Sequence, residues 1–121
     1  MAIKKVLVVE DSVTDRQALS EILKKNGYEV FTAESGDEAV SKADQLKPDL
    51  ILMDVVMPGT NGFQATRAIS KANGTKHIPV IICSSKGQET DKIWGMRQGA
   101  RDYIVKPVQE KDLLQKIAAL P

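Results

Sequence analysis

The sequence predicts an α/β fold, a doubly wound parallel sheet of five strands with five helices on its two faces. Three observations predict it. Short apolar runs alternate along the chain with segments whose apolar residues recur at helical spacing. The runs are nearly continuous, as in strands covered on both faces. A helix-length segment follows each run, so successive strands are joined by crossovers and lie parallel.

The elements follow in order. Ile3 to Val9 reads as a first strand. Val13, Ala18, Leu19, Ile22 and Leu23 then recur as a helix over 12–26. Ser12 and Asp15 have the spacing of a capping box, and Asn26-Gly27 is a helix stop. Tyr28 to Ala33 is strand two. Ser35 and Glu38 repeat the capping spacing before a second helix carrying Ala39, Val40, Ala43 and Leu46, which Pro48 ends. Asp49 to Met53 is strand three. Phe63, Ala68, Ile69 and Ala72 mark helix three, stopped by Asn73-Gly74. Val80 to Cys83 is strand four, entered through Pro79. A weaker helix over 88–98 carries Ile93, Trp94 and Met96, with Gly95 lowering its propensity. Tyr103 to Val105 is strand five. Leu113, Leu114, Ile117 and Leu120 close the chain as helix five.

Composition bounds the function. A length of 121 residues, 42% of them apolar, suits one domain over 1–121, with no second domain expected after helix five. Lys plus Arg number 17 and Asp plus Glu 16, a net charge of +1, so bulk charge predicts neither nucleic-acid nor membrane-surface binding. No apolar stretch approaches the roughly 20 residues of a membrane span. The N-terminal apolar run is too short and too soon charged for a signal peptide. A single cysteine, Cys83, excludes an intrachain disulfide and fits a reducing compartment, the cytoplasm.

In doubly wound sheets, ligands bind beyond the carboxyl ends of the strands. Strand one ends in Glu10-Asp11, strand three in Asp54, strand four in Ser84-Ser85 and strand five in Lys106-Pro107. Asp54 ends the apolar run ILMD, where an unpaired charge is costly. With strand order 2-1-3-4-5, the order of flavodoxin-like folds rather than one read from these residues, Glu10, Asp11 and Asp54 converge. Crowded carboxylates raise the pKa of at least one member unless a cation intervenes. Mg²⁺ prefers such oxygen ligands. Lys106 adds positive charge and Ser84 a hydroxyl. Together they form a receptacle for a phosphoryl group on Asp54, since a carboxylate can be the nucleophile that forms an aspartyl phosphate.

The strings VVEDS, LILMDVVMPGTNGF, IICSS and YIVKPV, in this order and spacing, resemble the receiver domain of bacterial two-component response regulators. The resemblance covers the whole chain. It implies a receiver fold in which Asp54 is the phosphoacceptor and Asp11 a direct Mg²⁺ ligand, with Glu10 acting through water and the Val56 backbone carbonyl as a further ligand. It implies that Lys106 pairs with the phosphate, before a cis bond to Pro107. Ser84 would be the hydroxyl switch and Tyr103 the aromatic that moves with it. The donor would be a histidine kinase of the chemotaxis type. The output would be a protein partner at the face of helix four, strand five and helix five. NGFQATR, GQETDKIWGMRQGARDY and KPV further resemble the single-domain regulators of the chemotaxis-like system controlling type IV pili and twitching motility. Glu10 stands where Asp is commoner, Ser84 where Thr is, and Val108 where Phe is.

Other readings stand beside this one. The domain could be a phosphate sink for a shared kinase. An aspartyl-phosphate phosphatase usually carries a second Asp two residues after the nucleophile, where this chain has Val56. A flavin carrier of the same topology would have its FMN phosphate repelled by the carboxylates. No separate-substrate enzyme is expected, only self-phosphorylation and self-dephosphorylation. Trp94 and Cys83 are expected to pack, and His77 to lie in a surface loop.

Overall fold

The computed structural model describes residues 3–121; Met1 and Ala2, part of the expected 1–121 domain, lie outside the described residues. Five βα units follow in sequence: β1 (Lys5–Val9), α1 (Val13–Lys25), β2 (Glu29–Ala33), α2 (Gly36–Leu46), β3 (Leu50–Met53), α3 (Gly62–Lys71), β4 (Val80–Ser84), α4 (Glu89–Arg97), β5 (Asp102–Val105) and α5 (Glu110–Ala118). The strands form one sheet of order β2-β1-β3-β4-β5, and every pairing is parallel. This is the expected doubly wound arrangement.

Period-two alternation divides the central strands between two cores. Leu7, Val9, Ile51 and Met53 face α2 and α3, where Ala39, Ala43, Ala65 and Ile69 meet them. Val6, Val8, Leu50 and Leu52 face Leu19 and Leu23 of α1 and Leu113 and Ile117 of α5. Both sides are sealed, so each large apolar side chain here contributes about 1.5–3 kcal/mol by leaving water. Small alanines on α2 and α3 let those helices lie close to the sheet. No helix of the described residues is long and apolar enough to cross a membrane.

Several sequence expectations shift. β1 begins at Lys5, and Ile3 packs against the α1/α5 core without strand pairing. Val13 is 56% exposed, because α1 turns its Leu19–Leu23 stripe to the sheet. The buried face of α3 is Gly62, Ala65, Thr66 and Ile69, not Ala68 and Ala72. Alanine marks a helical face weakly, and the packing runs from Gly62 at intervals of three and four. Leu120 lies past the end of α5 yet packs on the same core.

The capping expectation at α1 is half met. Ser12 Oγ accepts from the Asp15 N–H at 3.3 Å, but the Asp15 carboxylate is drawn to Lys106 at 2.9 Å. At α2, Ser35 Oγ accepts from the Glu38 N–H while Glu38 Oε1 takes the N–H of Glu34. A full capping box, not expected from the sequence, opens α3: Asn61 and Gln64 satisfy each other's backbone N–H at 2.9 and 3.0 Å.

α4 is seated least firmly. Gly95 is its buried residue, while Ile93, Trp94 and Met96 are each about half exposed. Trp94 therefore does not pack in the core as expected. Glycine explains this: a Cβ at Gly95 would lie 2.8 Å from Ile82 Cδ1 and 3.2 Å from the Tyr103 ring. The helix rests its backbone on the sheet and turns its large side chains outward.

Candidate functional site

Glu10, Asp54 and Lys106 each lie one step past a strand and are still held by a backbone bond of the sheet. The Glu10 N–H donates to Ala33 O, that of Asp54 to Val9 O, and that of Lys106 to Ser84 O, at 3.0, 3.0 and 2.9 Å. Val9 and Met53 are register partners, so Glu10 and Asp54 follow them side by side. Ser84 and Val105 are partners likewise, which sets Lys106 beyond Ser84. Parallel pairing thus converts four distant segments into one rigid edge.

The carboxylates converge there. One oxygen from each of Glu10, Asp11 and Asp54 lies within 4.8 Å of the others. Glu10 and Asp54 are buried, and Asp11 is exposed. Asp54 Oδ1 accepts the Val55 N–H at 2.8 Å. The Lys106 ammonium lies 2.7 Å from Glu10 Oε2, 2.9 Å from Asp15 Oδ2 and 3.6 Å from Asp54 Oδ2. Burial pushes the Glu10 carboxyl up to about 7; the Lys106 ammonium opposes this and the neighbouring Asp54 charge adds to it. Burial works to lower the Lys106 ammonium, but its close contacts with Glu10 and Asp15 and the charges of Glu10 and Asp54 outweigh that and hold it well above its ordinary value.

The residues fit a divalent metal ion. Glu10 Oε1 is buried with no hydrogen-bond partner. Glu10 Oε2 meets the ammonium at 2.7 Å, but without the angles of a hydrogen bond. A buried carboxylate so poorly matched with donors is costly by itself. A hard cation drawn to oxygen ligands offsets that cost, and Mg²⁺ matches the donor set.

α3 closes in from the other side. The Gly62 N–H donates to Val55 O at 3.0 Å, and a Cβ at Gly62 would lie 1.9 Å from Asp54 O. Val56, two residues past Asp54, presents an exposed side chain beside the site. With Val55, Met57, Asn61, Phe63 and Lys86 it lines a cleft of about 280 Å³.

Ser84 is fully buried, and its Oγ accepts the Lys86 N–H at 3.1 Å. The Tyr103 hydroxyl donates to Lys86 O at 2.6 Å, its ring packed beside Val55, Ile82 and Ala100. Burial raises the pKa of this phenol. The Lys106–Pro107 bond is cis. Cys83 is buried, its thiol pushed up to about 12 by burial, and His77 is exposed.

The structure thus brings Glu10, Asp11, Asp54 and Lys106 together, with Ser84 and Tyr103 linked through Lys86. Asp15 is the site residue that sequence reasoning missed. Its capping-box spacing supplied a sufficient local explanation. Arg16, likewise unremarked, donates from Nη1 to Glu10 O at 2.8 Å and pairs with Glu34 at 3.2 Å.

Comparison with known proteins gives the chain a family. The response regulator receiver domain family model matches residues 6–118. The chain is 54% identical to protein PilH of Pseudomonas aeruginosa over 96% of each chain. It spans 51% of the phosphate regulon transcriptional regulatory protein PhoB of Escherichia coli, at 37% identity over 97% of its own length. Its fold is similar to that of the chemotaxis protein CheY4 of Vibrio cholerae, with TM-score 0.91, 35% identity and coverage of 99% and 100% of the two chains. It is similar also to a chain in the CheX-CheY-BeF3-Mg complex of Borrelia burgdorferi, with TM-score 0.90, 30% identity and coverage of 96% and 87%. On these grounds the chain belongs to the response regulator receiver domain family.

Proposed function

We propose that this chain is a phosphorylation-dependent signalling switch that accepts a phosphoryl group on Asp54 from a histidine kinase of the chemotaxis type. The observation that carries this reading is the convergence of Asp54 with Glu10, Asp11 and Lys106 at one sheet edge. In the transfer, a carboxylate oxygen of Asp54 attacks phosphorus. The bond from phosphorus to the donor imidazole nitrogen breaks, and the imidazole takes up a proton. Hydrolysis reverses the load: water attacks phosphorus, the carboxylate departs and inorganic phosphate is released.

Asp11, Asp54 and the Val56 carbonyl would hold Mg²⁺ directly, with Glu10 acting through water. Bound there, the ion supplies positive charge against the transferring oxygens. The chain's own part is positional. The Val55 N–H orients Asp54, and Lys106 offers an ammonium to a phosphoryl oxygen. Ser84, fully buried behind the site, offers its hydroxyl to another oxygen once its bond with the Lys86 N–H is released. Tyr103 is tied to Lys86 O, so a change in the segment after β4 reaches the ring beneath α4. The half-exposed Ile93, Trp94 and Met96, with Val105 at 38% exposure, give the α4–β5–α5 face an apolar surface for a protein partner.

The biological setting we propose is the cytoplasm, in chemotaxis-like control of type IV pilus twitching motility. The identity with PilH supports it. Incubation with acetyl phosphate and Mg²⁺, followed by intact mass measurement, is expected to show one added phosphoryl group. Chelation of Mg²⁺ or Asp54→Asn should abolish it; full modification of the Asn variant would overturn the assignment. Twitching of a deletion strain, complemented with the unaltered chain or with Asp54→Asn, tests the setting.

A further inference from the structure

Lys106 has three carboxylate neighbours, and the proposed phosphoacceptor is the most distant of them. Its ammonium lies 2.7 Å from Glu10, 2.9 Å from Asp15 and 3.6 Å from Asp54. Asp15 differs in kind from the other two. It belongs to the first turn of a helix, not to a strand end, and its side chain is 45% exposed. It stands with Lys106 at the head of a groove of about 500 Å³ between α1 and the loop after β5, lined also by Ala18, Leu19, Ile22, Pro107 and Val108.

Local forces do not account for this placement. A capping box would turn an acidic third residue back toward the N-cap backbone. Here Ser12 makes its half of that motif, and the Asp15 carboxylate leaves its own half unmade for a lysine 91 positions away. The contact also opposes what Lys106 must do. A phosphoryl group on Asp54 needs the ammonium, which Asp15 holds on the other side. An incoming phosphodonor is anionic, and it meets the Asp15 charge at the rim.

We propose that Asp15 is a positioning residue that restrains phosphorylation. Its carboxylate competes with the phosphoacceptor for Lys106 and disfavours anionic donors at the mouth of the site. Glu10 anchors the ammonium from the buried side, and Asp15 draws it outward. Only a group as negative as a phosphoryl on Asp54 recovers it fully. The restraint would keep the unmodified protein poorly reactive toward small phosphodonors.

This rests on the proposed phosphoacceptor role of Asp54, and the test separates the two. Unaltered protein, Asp15→Asn and Asp15→Glu would be treated with acetyl phosphate and Mg²⁺, following modification by intact mass and fold by melting temperature. Because the pair is partly exposed, Asp15→Asn is expected to phosphorylate about two- to fivefold faster at sub-saturating donor. Added salt should narrow that ratio, and Asp15→Glu should restore the restraint. An independent readout is the apparent affinity for beryllofluoride with Mg²⁺, followed through Trp94 fluorescence. It should tighten by a similar factor in Asp15→Asn. An equal or slower rate in Asp15→Asn with unaltered melting would overturn the proposal while leaving Asp54 in place. No modification of any form at Asp54 would overturn both.

Discussion

Asp54 ends an apolar strand and remains buried, which is tolerable because its neighbours are arranged for it. One oxygen takes the Val55 N–H, the other faces Lys106, and Glu10 and Asp11 complete an acidic notch suited to a metal ion. Ser84 is the clearest test of switching at this scale. Its Oγ accepts the N–H of Lys86, an exposed residue. Ser84→Ala is therefore expected to cost only about 0.5–1.5 kcal/mol in urea denaturation. Asp54 should still be modified by acetyl phosphate, but the accompanying change in Trp94 fluorescence should be largely lost. An undiminished change would show that the hydroxyl takes no part in the relay. Cys83, by contrast, lacks the setting of a reactive thiol. Its thiol is buried and held near 12, far from the thiolate that reactivity needs.

Among the elements, α3 and α4 stand in opposite relations to the site. α3 is locked against it. Gly62 is where helix backbone meets the Asp54 carbonyl, and the Asn61–Gln64 capping box holds the turn that makes this approach possible. A methyl group at position 62 would sit 1.9 Å from Asp54 O, and backbone cannot yield as a side chain does. Gly62→Ala is expected to cost about 3 kcal/mol or more despite the better helix propensity of alanine. Urea denaturation would measure it, and a loss below about 1 kcal/mol would mean that α3 can withdraw without penalty. α4 is the loose element. It has a glycine contact with Ile82 and Tyr103 and little buried side-chain surface.

Across the whole molecule, the sheet separates chemistry from stability. The carboxyl edge gathers charges that repel one another, while at the opposite edge a carboxylate ties two strands together. Asp49, just before β3, accepts the backbone N–H groups of Lys4 and Lys5 at 2.9 Å each, joining β3 to β1. The Lys5 N–H is the main cause holding its carboxyl below the ordinary value; burial opposes this, and the Lys4 N–H adds to the lowering. A depressed folded value means stability present above the unfolded value of about 3.9 and lost as pH falls through the folded one. Asp49→Asn should therefore melt below the unaltered protein near about pH 7, with the gap closing as pH falls below about 4. A gap independent of pH would assign the contact to geometry and not to charge.

The order of elements, their helical or extended type and the two-sided burial of the strands follow from local pattern, and so does the polarity of the strand ends. Apolar period, capping residues and strand-end polarity are written within a few positions of where they act, so Asp54, Glu10, Asp11 and Lys106 stand out as strand-end polar residues, while the strand order that makes them converge and the roles of Val56 and Tyr103 come from the resemblance to receiver domains. Only the tertiary structure decided how far the ammonium lies from each carboxylate, that Asp15 abandons its capping role for Lys106, that Gly62 abuts the Asp54 carbonyl, and that Trp94 turns outward. These depend on partners distant in the chain, which parallel pairing brings together only when the sheet forms. Their energies are set by burial and distance, and no window of sequence contains either.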